Sequence, residues 1–371
     1  MKYLKQVIVF GSLCLLSACA FLGDFIGSGQ EAELPPGTST SQPSATVPPT
    51  QVVAAIEADS VSEADSQIPT PVPDPLIIDF PEAEPAPVSA WRPPLYPIPW
   101  APTPYDHFYF ARPIAADEVN WPAADYRYGG VFFENVVHTG VDIPAPLGTP
   151  VLAAADGKVI WAGYGLYGGI PGDRSDPYGR AVMIRHDFGF QGQRLHTVYG
   201  HLEEVFVPNG QYVSAGDLLG LVGDTGFVTG PHLHMEVRWG EVGFFDTLNP
   251  ELWLVPPQGW GVLVARLSRT GGGDLQEHYM KISSIYTGQV WQGRTYANGA
   301  INKDPYYQEN LVVSDLPAGL YEISTSYIGK LYTTTIEIHP GRVSFLRFQG
   351  RDGYFFDPPT SPGEDFLPVQ P

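Results

Sequence analysis

The chain has 371 residues, with 40 acidic against 20 basic side chains and a formal charge of −20. That length holds two ordinary domains plus additional segments. Acidity on this scale repels phosphate backbones and argues against a nucleic-acid partner. The two cysteines, Cys14 and Cys19, both lie near the start, so a disulfide framework is not what holds the folded parts together.

The first residues carry Lys2 and Lys5, then an apolar run from Val7 to Leu16 that is too short to span a bilayer comfortably. Leu16-Ser17-Ala18-Cys19 resembles a bacterial lipobox, which implies a signal peptide over residues 1–18 and a lipid on Cys19; an ordinary signal peptide with a chance cysteine is the plainer alternative. Residues 24–90 contain eleven acids and no Lys or Arg, and Pro, Ser, Thr, Ala and Glu dominate. Such a stretch buries too little apolar surface to offset its ordering entropy, so residues 19–104 read as a disordered tether. Toward its end Trp91, Tyr96 and Trp100 appear among the prolines; this is either an aromatic strap on the following domain or a continuation of the linker.

Residues 105–256 read as globular. PVLAAADGKVIWAG suggests a hairpin around Asp156-Gly157, RAVMIRHD and QRLHTVYGHL suggest two strands joined by a turn, and DLLGLVGD and HLHMEVRW suggest two more. No amphipathic helix of normal length is present. The expected fold is all-β, an antiparallel β-sandwich. Residues 257–356, with GVLVARLSR, HYMKISSIYT, ENLVVSDL, GLYEISTSYI, LYTTTIEIHP and GRVSFLRFQ, read as a second small β-sandwich. The Pro-rich residues 357–371 read as a flexible tail.

Nine histidines occur in the chain, and four belong to one constellation. His138 and Asp142 lie in HTGVD, His201 in YGHL, and His232 and His234 in GPHLHMEV. Period two in HLHMEVRW places His232, His234, Glu236 and Arg238 on one face of a strand, with Leu233, Met235, Val237 and Trp239 anchoring it from the other. Gly140, between His138 and Asp142, lets the chain bend so that both heads converge, and the carboxylate offsets part of a divalent charge. A His-x-x-x-Asp pair with a distant His-x-His offers the three protein ligands of a catalytic zinc with histidines to spare. Glu236 reads as a support behind the ligands, a groove-lining charge or a solvated strand residue. His186 and His196 read as structural or rim residues, and His107, His278 and His339 as surface or capping residues. Trp161, Tyr164, Tyr167 and Tyr178 flank a Gly-rich loop, either a groove wall or a plain long hairpin loop. A TIM-barrel hydrolase would need alternating helices that are absent, and a cupin-like site would not need this motif order.

HTGVD, YGHL and GPHLHMEV, with GTPVLAAADGKVIWAG and GDLLGLVGDTG between them, resemble the lysostaphin/LytM-type zinc metallopeptidases over residues 130–254. The resemblance implies that His138, Asp142 and His234 bind zinc. It also implies that His201 and His232 act beside the water as general base or transition-state stabiliser. Its implied substrate is the peptide of bacterial peptidoglycan. The C-terminal hairpin DLPAGLYEI, with the Pro340-Gly341 turn, resembles the carboxypeptidase-regulatory or prealbumin-like sandwich. In that sandwich Tyr306 and Tyr307 either pack in the core or stack on sugars.

The expected function is a membrane-anchored zinc endopeptidase of the cell envelope. It would be a monomer outside the cytoplasm, hydrolysing peptidoglycan stems or cross-bridges. Its rival is a non-catalytic wall-binding or hydrolase-activating lipoprotein on the same fold.

Overall fold

The computed structural model describes residues 96–114, 122–133, 136–299 and 301–359. The lipobox with Cys19, Trp91 and most of the acidic tether lie outside the described residues. Among the described residues no helix is long and apolar enough to cross a membrane. What they contain is β structure with three 3₁₀ turns.

A short hairpin, β1 (Val131–Phe133) with β2 (Val136–Val137), precedes a nine-stranded antiparallel sheet. The sheet comprises β3 (Val141–Pro144), β4 (Pro150–Leu152), β5 (Gly157–Tyr164), β6 (Arg180–Phe190), β7 (Gln193–Val205), β8 (Tyr212–Val213), β9 (Leu218–Val222), β10 (His232–Trp239) and β11 (Thr247–Leu248). The long β6–β7 hairpin turns at Gln191-Gly192, with φ values of 49° and 74°, the left-handed pair that matches strand twist. β10 lies against β7 on one edge; on the other it pairs with β3 through its first half and β11 through its second. Asp156-Gly157 does not make the expected hairpin. β4 pairs with β9, while β5 pairs with β6 and β8; the residues between β4 and β5 bond instead to the 214–217 turn, Ala153 N–H donating to the Asp217 carbonyl at 2.8 Å and Asp156 Oδ1 accepting Ala215 N–H at 2.7 Å.

The alternation in β10 settles its faces. Leu233, Met235 and Val237 are fully buried in the main core with Val182, Ile184, Tyr199 and Trp253. This core also takes Phe108 and Phe110 from the N-terminal segment, and Tyr96, Ile98 and Trp100 pack on it. Composition placed residues 96–104 in the tether, with an aromatic strap as the other reading of its end, and the strap is what the structure has. It is held in place: the Trp100 indole donates to the Gly341 carbonyl at 2.7 Å and stacks on Tyr96.

β12 (Trp260–Ser268), β15 (Leu311–Pro317), β18 (Val343–Gln349) and β19 (Tyr354–Phe355) form one four-stranded sheet. β13 (Tyr279–Ser284), β14 (Val290–Arg294), β16 (Gly319–Tyr327) and β17 (Lys330–Ile338) form another. Both contribute side chains to a second core, so this is a sandwich; β12 and β18 run parallel within it. β12 is buried on both faces. Leu263, Ala265 and Leu267 enter the second core, whereas Val262 and Val264 enter the first. The expected boundary at residues 256 and 257 is thus crossed by a shared core, and all described residues fall within one compact unit.

This junction corrects one surface expectation, that for His107, and bears out the core-packing reading of Tyr306 and Tyr307. His107 is buried, with Nε2 3.2 Å from Asp304 Oδ2 and its ring against Trp253. Tyr306 and Tyr307 are buried as well; Tyr306 stacks on Tyr105 and Tyr307 donates to Asp106 at 2.8 Å.

Leu233 backs the two histidines of β10 from the core side. Leu233→Ala is expected to cost about 2–5 kcal/mol, read as a lowered urea midpoint; an unchanged midpoint would contradict the packing described.

Candidate metal centre

Register brings the first two candidate ligands together. Asp142 of β3 lies directly opposite His234 of β10, and directly opposed side chains share a face within contact distance. His138 arrives one turn earlier, before β3. Gly140 between them does not have a left-handed φ. Its role is space: a Cβ there would meet Met235 O at 2.4 Å and His234 Cε1 at 2.8 Å. The His234 ring therefore lies over bare backbone in the HTGVD motif.

The three heads converge. His138 Nε2 is 3.0 Å from Asp142 Oδ1 and 3.0 Å from His234 Nδ1. His234 Nδ1 is 2.8 Å from the same Oδ1. All three residues are buried, and together they can hold a metal ion. The outer ring nitrogens explain why these atoms point inward. His138 Nδ1–H donates to the Arg127 carbonyl at 3.1 Å, and His234 Nε2–H donates to Glu236 Oε1 at 3.2 Å. With the outer nitrogens holding protons, the inner ones present lone pairs. Two imidazole lone pairs and a carboxylate oxygen on one small volume repel one another unless a cation or protons sit among them. That donor set suits a divalent ion such as zinc, and three ligands leave a fourth corner.

His201 and His232 border that corner. Their ring centroids are 4.7 Å apart, and His201 is 5.6 Å from His234. His201 Nδ1–H donates to the Thr225 carbonyl at 2.8 Å, and His232 Nδ1–H to the Gly230 carbonyl at 2.7 Å. Each thereby keeps Nε2 as an acceptor. His232 Nε2 is buried without a hydrogen bond, 3.5 Å from Asp142 Oδ2. Strand alternation alone would put His201 on the core side with Tyr199. It lies instead where β7 exchanges β10 for β9 as its partner, and its φ is +62°. That uncommon conformation for a non-glycine residue turns the ring toward His232.

Glu236 has one assignment among the three the sequence left open. It is fully buried behind His234. Oε1 also accepts Thr139 Oγ1–H at 2.7 Å and the Tyr178 hydroxyl at 2.6 Å, and Oε2 accepts Arg238 Nε–H at 2.7 Å. Burial alone would raise this carboxyl. The Arg238 charge and the His234 contact prevail and hold it at about 2. Burial would raise Asp142 too, but His138 and His234 draw it well below the usual range. Burial would lower His234, yet its bonds to Asp142 and Glu236 lift it to about 9. Burial, then the neighbouring His234 and His232, lower His201 to about 3; His232 is lowered chiefly by burial.

Of the remaining histidines, His186 is buried between the Asp156 carbonyl and Thr197, and His196 lies in the sheet opposite Arg238. Neither reaches the centre. The Gly-rich loop folds around buried Asp176, which accepts the N–H groups of Tyr167 and Tyr178. It meets the next loop through Phe227 N–H to the Pro177 carbonyl at 3.0 Å. Tyr167 packs edge-on against Phe244, and Tyr167, Ile170 and Phe227 are exposed. Sequence reasoning did not single out Thr139 or Arg127. Thr139 sits inside HTGVD, where its proximity to the ligands was available as a signal; Arg127 carries none, because its contribution is a backbone carbonyl.

The Peptidase family M23 profile matches residues 136–245. The DD-carboxypeptidase/endopeptidase Mpg of Neisseria meningitidis serogroup B is 42% identical over 113 residues, 30% of this chain and 23% of that protein. The peptidoglycan DD-endopeptidase ShyA of Vibrio cholerae serotype O1 is 42% identical over 132 residues, 35% of this chain and 27% of that one. The chain thus spans about a quarter of the length of these relatives. Among solved structures, the catalytic domain of lysostaphin from Staphylococcus simulans is 27% identical, covering 35% of this chain and 89% of that chain with a TM-score of 0.30. The segment that carries HTGVD, YGHL and HLHMEV is therefore a peptidase family M23 domain of the LytM/lysostaphin type.

Proposed function

We propose that the protein is a zinc metalloendopeptidase that cleaves peptide bonds in the stems or cross-bridges of bacterial peptidoglycan. The observation that carries this reading is the convergence of His138 Nε2, Asp142 Oδ1 and His234 Nδ1, with two further acceptor nitrogens bordering the fourth corner. The substrate class is supported by the relatives named as peptidoglycan DD-endopeptidases, at 42% and 39% identity over part of the chain. We assign the protein to the cell envelope outside the cytoplasm, tethered by a lipid on Cys19, from the lipobox and the acidic segment behind it.

Zinc held by these three residues would supply a Lewis acid for the scissile carbonyl and a water acidified toward neutrality. The chain's own residues do the rest. His201 and His232, each fixed through Nδ1–H to a backbone carbonyl, both present Nε2, and one of the two accepts the proton of the attacking water. That nitrogen then delivers it to the leaving amine, while the other histidine stands beside the developing oxyanion. Glu236 and the Arg127 carbonyl hold the ligand rings in the orientation that keeps lone pairs inward. The exposed Tyr167, Ile170 and Phe227 supply an apolar wall for a bound peptide.

His234→Ala is expected to abolish both zinc binding and the release of new amines from purified peptidoglycan. His201→Ala is expected to retain zinc while lowering turnover by about 10²–10⁴-fold. Unchanged wall cleavage in cells that carry His234→Ala would leave a binding or activating role instead.

Gly140→Ala tests the bare-backbone contact beneath His234. It is expected to weaken zinc binding about 10-fold or more in a chelator competition. Equal affinity in the variant would show that the ring does not depend on that space.

A further inference from the structure

Residues 124–131 lie between the M23 domain and the C-terminal sandwich and are bonded to both. Toward the metal centre, Gly129 N–H donates to the His138 carbonyl at 2.8 Å, and His138 N–H donates to the Gly130 carbonyl at 2.9 Å. The Arg127 carbonyl accepts His138 Nδ1–H at 3.1 Å. His138 is thus held by this segment through its N–H, its carbonyl and its ring.

Toward the sandwich, Ala297 N–H donates to the Gly129 carbonyl at 2.8 Å. The Tyr296 ring occupies the space where a side chain on residue 129 would be: a Cβ there would lie 2.5 Å from Tyr296 Cδ1, and φ is +75°. Only glycine fits both conditions. The buried Arg127 guanidinium pairs with buried Glu251. Glu251 Oε1 in turn accepts Ser314 N–H at 3.0 Å and Ser314 Oγ–H at 2.7 Å from β15. A continuous run of buried hydrogen bonds therefore leads from β15 through Ser314, Glu251 and Arg127 to the ring of His138.

We propose that the C-terminal sandwich is a positioning element of the metal centre, with residues 124–131 as a splint that sets the His138 imidazole. The proposal rests on His138 being a metal ligand, as argued above. It assigns the sandwich a task within the enzyme, independent of any ligand of its own. Ser314, Glu251, Arg127 and Gly129 are its positioning residues. Removing the Ser314 hydroxyl leaves Glu251 with one bond fewer and frees Arg127 to shift, and the His138 ring shifts with its carbonyl.

The test uses the full chain with Ser314→Ala, Gly129→Ala and, as a control, Ile323→Ala. Ile323 is buried in the second core, so its loss destabilises the sandwich without touching the splint. Zinc affinity is measured by chelator competition well below each melting temperature, and the visible spectrum of the cobalt-loaded protein reports ligand geometry. Ser314→Ala and Gly129→Ala are expected to weaken zinc binding about 10-fold or more and to alter the cobalt spectrum. Ile323→Ala, at an equal or larger loss of thermal stability, should leave both unchanged. If Gly129→Ala does not fold, Ser314→Ala decides the matter. Wild-type affinity and spectrum in Ser314→Ala overturn the proposal, as does an equal loss in Ile323→Ala. A wild-type chain that binds no zinc overturns the metal-site reading, and the splint with it.

Discussion

Three inward lone pairs within 3.0 Å of one another are the constraint on which the rest of the site depends. Such a cluster does not assemble by itself, because like partial charges repel. It is held by what stands behind it. A backbone carbonyl takes the outer proton of His138, and a buried carboxylate takes that of His234. Each support is then fixed in turn, Glu236 by Thr139, Tyr178 and Arg238, and Arg127 by Glu251. Pre-organisation of this kind keeps the ligand geometry ready for an ion.

The β architecture suits that task. Cross-strand register sets Asp142 opposite His234 without any freedom of a loop, and a one-residue slip would send every one of these side chains to the other face. The apolar face of β10 locks that register from the core. Where alternation would misplace a residue, the backbone departs from regularity, as at His201 with its left-handed φ. Strain appears at the position where the chemistry requires a particular direction.

Local patterns in the sequence were enough to place His232 and His234 on one strand face, and the motif spacing was enough to nominate His138 and Asp142. The resemblance supplied their division of labour with His201. What stayed hidden depends on long-range partners. Glu236 looks the same in sequence whether solvated or buried, since Thr139 and Tyr178 lie 97 and 58 positions away. Asp156-Gly157 carries a good turn signal, yet β4 finds β9 rather than β5. His107 looked peripheral because the junction that buries it joins segments about 200 positions apart. The shared core runs through β12, whose unbroken apolar residues 262–265 are buried on both faces; a local reading assigns that strand to one sandwich only.

The central claim concerns which atoms face the ion. Anomalous diffraction at the zinc edge, from crystals of the chain grown with zinc, addresses it directly. The account predicts one ion at about 2.0–2.2 Å from His138 Nε2, Asp142 Oδ1 and His234 Nδ1, with His201 and His232 outside bonding distance. An ion bound through the opposite ring nitrogens, or one that omits Asp142, would contradict it.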